Sequence, residues 1–311
     1  MKRGTGIAMI IILLALGLRA NLFFSFENLM DVLRQGGILT LIAIGLTVVL
    51  ASGGFDMGAG ALVQFTCNIA AGMIIHKINP TLTLPVGLGI GLVFGLFNSF
   101  LVIFTKIPTF VATLGTMFIL QGLTNFYNDG QALITGIVPG FTFLGQGYIG
   151  VVPVIFIIVL LITAALNYFL KFTTTGLRMY ASGENPAAAL LRGVKTDKYL
   201  LIGYCISGSI LGITGVLQCS YNYGASAVAS GMDFLIQALS AAYLGSTFSR
   251  TGELSVIGTL ISGMFIASLS NALIINGISN NQISGILGLI LILSILINVI
   301  GKREIGQVTI F

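Results

Sequence analysis

The sequence predicts an all-α polytopic membrane protein of about ten transmembrane helices, some short or broken at glycine-rich turns, with both termini cytoplasmic. Three observations predict it. First, the 311 residues are 56% hydrophobic and only 7% charged, with a mean hydropathy of +1.05, whereas a soluble domain carries roughly 25% charged residues. Second, the apolar residues gather into ten runs with short polar breaks. A span needs about 20 apolar residues, so ten take about 200 and leave no room for a soluble catalytic domain. Residues 1–311 are therefore read as one transmembrane domain. Third, with the N-terminus inside, the inner segments hold Lys2, Arg3, Lys106, Lys171, Arg178, Arg192, Lys195, Lys198, Arg250, Lys302 and Arg303, and the outer ones only Arg19, Arg34 and Lys77. That partition is what the positive-inside rule requires.

The first run, Ile7–Leu18 after Lys2 and Arg3, has the look of a signal peptide, but no small-residue cleavage site follows and the apolar stretch resumes after Arg19. We read 7–26 as an uncleaved span with Arg19 snorkelling to the far interface. Residues 28–35 put Leu29, Val32 and Leu33 on one face, predicting a short amphipathic helix on the outer surface. The remaining runs are 37–51, 57–75, 82–104, 108–126, 149–170, 200–219, 234–248, 254–275 and 283–300. Runs 37–51 and 234–248 are short and end at Gly53-Gly54 and Gly245-Ser246, which predicts broken helices there. The longest outer loop, 127–148, contains Asp129 and no lysine or arginine.

The one long polar break is 171–199, read as cytoplasmic. It holds five of the chain's 14 lysines and arginines together with Glu184 and Asp197. Within it Asn185 is placed to cap a short helix that Pro186 begins and Gly193 ends. The helix reads as a docking surface; a solvated loop that only fixes topology is the alternative.

Much chemistry is excluded. No phosphate-cradling G-x-x-x-x-G-K-[ST], no H-E-x-x-H and no G-x-S-x-G is present. Cys67, Cys205 and Cys219 lie in apolar runs as small hydrophobes, and His76 has no cysteine or carboxylate nearby. No metal or cofactor is expected on this chain. The net charge of +5 is scattered over segment ends and implies no nucleic acid. Asp56 and Asp233 sit at segment ends, where capping competes with a functional role. Gly53, Gly54, Asp56 and Gly58 read as a structural turn, with Asp56 capping the next helix. Asn68, Asn98, Gln121, Asn125, Gln218, Gln237 and Asn271 lie in apolar runs as candidates, with Asp56, for a solute path or gate; interhelical hydrogen bonding is the competing account of each amide.

A family resemblance rests on specific residues. LASGGFDMGAGALV (50–63) resembles the G-G-[IF]-D-[LM]-S-x-G turn of the permeases of ribose-type ABC importers. FENLMDVLRQGGILTLIAIGLTVVL (26–50), IPTFVATLGTMFILQGL (107–123), TTTGLRMYASGENPAAALLRGV (173–194) and YLGSTFSRTGELSVIGTLISGMFIASLSNALIINGIS (243–279) resemble further segments of that family in the same order. The chain departs from the pattern at Gly58, where a serine is usual, and at Ser246 and Glu253, where glycines are usual.

The resemblance implies the permease subunit of an ATP-driven, binding-protein-dependent importer in the bacterial plasma membrane, carrying a monosaccharide or similar small polar solute. It implies a second permease, identical or not, two cytoplasmic ATPase subunits that bind ATP and magnesium, and an extracytoplasmic binding protein. Glu184, Asn185, Pro186, Ala187, Ala188, Ala189, Arg192 and Gly193 then resemble the coupling helix that seats in the ATPase. The rival readings are the same machine for a nucleoside, branched-chain amino acid or furanosyl signalling molecule, and a self-sufficient secondary transporter or channel. A membrane-embedded enzyme finds no catalytic constellation to support it.

Overall fold

A computed structural model describes residues 2–18, 22–136, 138–227, 231–249 and 252–304. Arg19 and Arg250, two of the charges used in the topology count, lie outside the described residues. Helices dominate, in the order α1 (Lys2–Gly17), α2 (Phe26–Ala51), α3 (Ala59–Ile75), α4 (Thr83–Thr105), α5 (Thr109–Asn128), α6 (Pro139–Gln146), α7 (Val154–Phe172), α8 (Thr174–Glu184), α9 (Pro186–Leu191), α10 (Thr196–Asn222), α11 (Gly231–Ser246), α12 (Val256–Ile275) and α13 (Asn280–Glu304). Two small antiparallel ladders join them. β1 (Leu133–Ile134) pairs with β4 (Gly224–Ala225), and β2 (Tyr148–Ile149) with β3 (Val152–Pro153). Among the described residues, six helices are long and apolar enough to cross a membrane: α2, α4 with the turn before it, α5, α7, α10 and α12. The chain is thus an all-α, multi-pass membrane protein.

The core is built around α2. It is apolar all round and almost wholly buried, from Ile38 to Val49, against α7, α10, α11 and α12, as expected of a helix with no polar face. In lipid the hydrophobic effect does not draw helices together, so packing and hydrogen bonds must. Thr47 and Thr259 meet hydroxyl to hydroxyl at 2.8 Å between α2 and α12. Asn28 and Asn271 exchange two amide hydrogen bonds, 3.0 and 2.9 Å, between the same two helices.

A second seam joins α4 to α10. Gly87, Gly91 and Gly95 on α4 lie against Gly212, Gly208 and the Tyr204 backbone on α10, with no room for a Cβ at any of these glycines. Close backbone approach of this kind is the use small residues have in membrane helices. The spacing was present in the sequence as G-x-x-x-G-x-x-x-G over 87–95 and was not read there.

Several expectations are corrected. The first run does not form one helix to Phe26: α1 ends at Gly17, and Ser25 caps the next helix by accepting from the Asn28 N–H at 3.3 Å. Residues 28–35 are not a separate interfacial helix but the first turns of α2, whose 26 residues also show that run 37–51 is not short. The Gly36-Gly37 pair does not break α2, because each glycine serves a close contact. A Cβ at Gly36 would lie 2.9 Å from Ala267, and one at Gly37 2.6 Å from Ile155. Run 234–248 does fold as a short helix, α11, of 16 residues. The polar break 171–199 is not a loop with one helix but holds two, α8 and α9. The outer loop 127–148 carries β1 and α6.

Candidate functional site

Three groups of candidate residues can be placed. The first is the exposed surface formed by α8 and α9. Thr173 caps α8 by accepting from the Gly176 N–H at 3.1 Å, and Asn185 caps α9 by accepting from the Ala188 N–H at 2.9 Å. Pro186 occupies the first turn, where its missing N–H costs nothing. Gly193, at φ +78°, closes the helix with bonds from Gly193 N–H to the Leu190 carbonyl and from Val194 N–H to the Ala189 carbonyl. Glu184, Ala187, Ala188 and Arg192 are exposed, while Ala189 is buried beneath them. Leu190 and Leu191 project outward, Leu191 91% exposed. Two leucines held out on a capped one-turn helix make an apolar knob, and sequence reasoning had passed over them in favour of the alanines.

This surface is tied to the membrane helices at three points. Gly183 of α8 rests directly on the turn after α2. A Cβ at Gly53 would stand 3.1 Å from the Gly183 Cα, and one at Gly183 2.8 Å from the Gly53 nitrogen. Gly53 also takes φ +87°, which a side chain would disfavour. The Tyr180 hydroxyl donates to the Leu254 carbonyl at 2.7 Å, joining α8 to the segment that leads into α12. Burial, then Glu253 and Glu184, push the Tyr180 phenol up to about 12, so it stays protonated and able to donate. Arg178 donates to the Tyr199 hydroxyl at 3.1 Å, which pins α8 to the start of α10.

The second group is the turn 52–58 itself. The Phe55 carbonyl accepts from the Tyr204 hydroxyl at 2.8 Å and from Thr113 at 3.3 Å, and Thr113 accepts from the Met57 N–H at 3.0 Å. The turn is thereby held to α5 and α10. Asp56 does not cap α3. That cap is Gly58 without a side-chain bond, and Asp56 Oδ1 instead accepts from the Gly58 N–H at 2.9 Å, closing the turn on itself. Nor does Asp56 sit where water reaches it, being 4% exposed. A Cβ at Gly54 would lie 2.8 Å from Leu200 and from Val49. Asp233, by contrast, is exposed in the first turn of α11, 3.4 Å from the Ser284 hydroxyl.

The third group is the intramembrane amides, which the structure does not gather into one site. Asn68 donates to the Gln64 carbonyl at 3.0 Å and accepts from Asn128 at 3.1 Å. Gln64 in turn donates to the Ser226 hydroxyl at 3.1 Å, so the four residues staple α3, α5 and the segment after α10. Asn128 and Gln64 had not been singled out, since their partners are distant in sequence. Asn98 accepts from Thr116 at 2.6 Å, joining α4 to α5. Asn271 is spent on Asn28. Gln218 is buried with an unpartnered Oε1. Gln121, Asn125 and Gln237 make no hydrogen bond among the described residues; Gln237 is half-buried on α11. Asn125 is exposed and Gln121 half-buried on α5, near Gly115 and Gly122, where a Cβ would meet open space. No group of three metal-ligating side chains occurs among the described residues.

Comparison with known proteins adds an independent line. Residues 28–296 match the family model described as branched-chain amino acid transport system / permease component. The chain is 34% identical over 277 residues to the ribose import permease protein of Haemophilus influenzae, covering 88% of this chain and 85% of that protein. It is 32% identical over 299 residues to the ribose import permease protein of Bacillus subtilis, covering 96% and 92%. It is 28% identical over 288 residues to the xylose/arabinose import permease protein of Sulfolobus acidocaldarius, covering 90% and 80%. No solved structure matches the chain.

Proposed function

The chain belongs to the family of branched-chain amino acid transport system permease components, and from that premise we propose that it is the permease of an ATP-driven, binding-protein-dependent monosaccharide importer. Relatives similar over most of their length include permeases named for ribose and for xylose and arabinose, and one named for galactofuranose; a pentose is the solute we favour. The chain itself brings no nucleotide site. ATP and magnesium belong to two ATPase subunits on the cytoplasmic side, a second permease completes the pathway, and a binding protein delivers solute from outside. The membrane is the bacterial plasma membrane, crossed ten times, with both termini and α8–α9 inside, as the lysine and arginine distribution requires.

The observation that carries this reading is the exposed apolar end of α9 on a mount without slack. Leu190 and Leu191 cost free energy in water unless covered, and a groove on a partner ATPase would cover them. Force applied there has short routes inward. Through Gly183 it reaches the turn 52–58 and so the start of α3; through Tyr180 it reaches the segment before α12. Arg192, Lys195 and Lys198 supply positive charge around the knob for acids on the partner.

The solute path is assigned to the open face of α5. An unpaired amide facing hydrocarbon is costly, so an exposed Asn125 beside Gln121 fits a helix that faces water or a second permease. The bonded amides Asn68, Asn98 and Asn271 are assigned to holding helices together, and the 52–58 turn with Asp56 to the gate.

The test is reconstitution with the co-purifying ATPase and a binding protein in sealed vesicles, followed by uptake of radiolabelled ribose, xylose and arabinose with and without ATP. ATP-dependent uptake of one of them supports the reading. Uptake that runs down a gradient without ATP replaces it with a secondary transporter or channel. ATP-dependent uptake of a nucleoside or branched-chain amino acid, and of none of the sugars, changes the solute alone.

A further inference from the structure

Beside α8, against the Tyr180–Leu254 link, lies a cavity of about 510 Å³, within the usual span of small-molecule sites, about 300–1,000 Å³. It sits where α7 ends and α12 begins. Lys171 lines it from the last turn of α7, and Glu253 from the segment before α12. The ion pairs among the described residues are Arg34 with Asp31 and Lys106 with Asp197, so these two opposite charges face one cavity without an ion pair to each other or to another described residue. Ser255 also lines it; its oxygen accepts from the Gly258 N–H at 3.4 Å, and its hydrogen has no acceptor among the described residues. The Tyr180 hydroxyl is already committed to Leu254. Ser249 lines it as well, the rest of the wall is apolar, and Phe172 connects it to an outward stripe on α7 formed by Leu161, Tyr168 and Phe172, each at least 65% exposed.

A cation and an anion held apart, with a hydroxyl donor between an apolar stripe and the helix ends, form the complement of one kind of molecule. We propose that this cavity binds the headgroup of a zwitterionic aminophospholipid, its phosphate on Lys171 and Ser255, its primary ammonium on Glu253, and an acyl chain along the α7 stripe. The choice of an aminophospholipid follows from the donors. A trimethylammonium has no N–H to give Glu253, and a glycerol headgroup has no cation. Such a lipid would brace α7, α8 and the entry to α12 together, and the proposal does not depend on which solute is carried.

The test uses the full chain in nanodiscs of equimolar phosphatidylethanolamine, phosphatidylcholine and phosphatidylglycerol, followed by detergent extraction and mass-spectrometric quantification of the lipids retained. Wild type is expected to retain phosphatidylethanolamine about tenfold over phosphatidylcholine, since one charge-assisted hydrogen bond is of that order. Glu253→Gln is expected to remove that preference, and Lys171→Gln to lower retention of all three lipids. Equal retention of the three by wild type, a measurement that needs no variant to fold, overturns the proposal. So does a preference unchanged in both variants. Loss of a co-purifying ATPase in Glu253→Gln, with lipid retention unselective throughout, overturns it in favour of a protein occupant.

Discussion

Gly53 and Gly183 touch backbone to backbone: a Cβ on Gly53 would stand 3.1 Å from the Gly183 Cα, although the two residues belong to the turn after α2 and to α8. A contact without side chains has nothing to bend, so displacement of α8 and of the turn are one displacement. This makes Gly183→Val a sharp probe. Overpacking of this kind costs about 1–3 kcal/mol, and we expect a lowered unfolding temperature in detergent together with loss of uptake. Gly89→Ala, on α4 at a position with open space around it, is the control and should match wild type in both. A Gly183→Val protein with wild-type stability and uptake would remove the turn from the coupling route.

Ala188→Arg addresses the α9 surface without touching the core. Ala188 is exposed, and surface substitutions stay within about 0.5 kcal/mol, so insertion and thermal stability should be unchanged. Recovery of the ATPase in a pull-down should fall by about tenfold or more, as should uptake. Leu191→Glu should behave alike, since Leu191 is the most exposed leucine of the knob. Unaltered ATPase recovery in both variants would falsify the docking role of α9.

Tyr180→Phe leaves the half-buried Leu254 carbonyl without its donor, at a cost of about 1 kcal/mol. The wild-type bond has its own pH signature. Because the folded phenol is raised from 10.0 to about 12, its contribution is fully present below pH 10 and is lost as pH rises through about 12. Thermal unfolding of wild type should therefore show no Tyr180-dependent change between pH 6 and 9, and the gap to Tyr180→Phe should narrow only above pH 10. A gap that closes near neutrality would contradict the assignment.

The amides divide into two kinds that one experiment separates. Asn68→Ala breaks the link to Asn128 and leaves its buried amide only the long 3.4 Å bond to the Ala227 carbonyl, so thermal stability should fall by about 1 kcal/mol or more. Asn125→Ala removes an exposed side chain and should leave stability within about 0.5 kcal/mol while reducing sugar uptake. Stability and uptake that fall together in Asn125→Ala would move Asn125 from the pathway to the packing.

What could be read from the sequence follows the range of the interactions. The cap, first turn and terminus of α9 were legible because Asn185, Pro186 and Gly193 act on their own neighbours. The long apolar helices were legible from hydropathy. The continuity of α2 was not, since Gly36-Gly37 look like a breaker until Ala267 and Ile155 are seen packed against them. α8 escaped notice because its eleven residues mix two glycines with threonine, serine and arginine and have no apolar run. Asn128 and Gln64 escaped because an amide shows its partner only once helices far apart in sequence are brought together. The same holds for the role of Asp56, whose burial depends on the residues around the turn.

The glycine-lined junction of α4 and α10 has a mechanical corollary. Where two helices interlock through large side chains, they can slide by exchanging one set of rotamers for another. Gly91 and Gly208 offer no rotamers to exchange. The two helices therefore behave as a single beam, and because only four residues separate the end of α9 from the start of α10, that beam starts beside the proposed point of contact with the ATPase. Spin labels on α4 and α10 should keep one separation through the whole transport cycle, giving a fixed ruler against which the movement of every other helix can be measured.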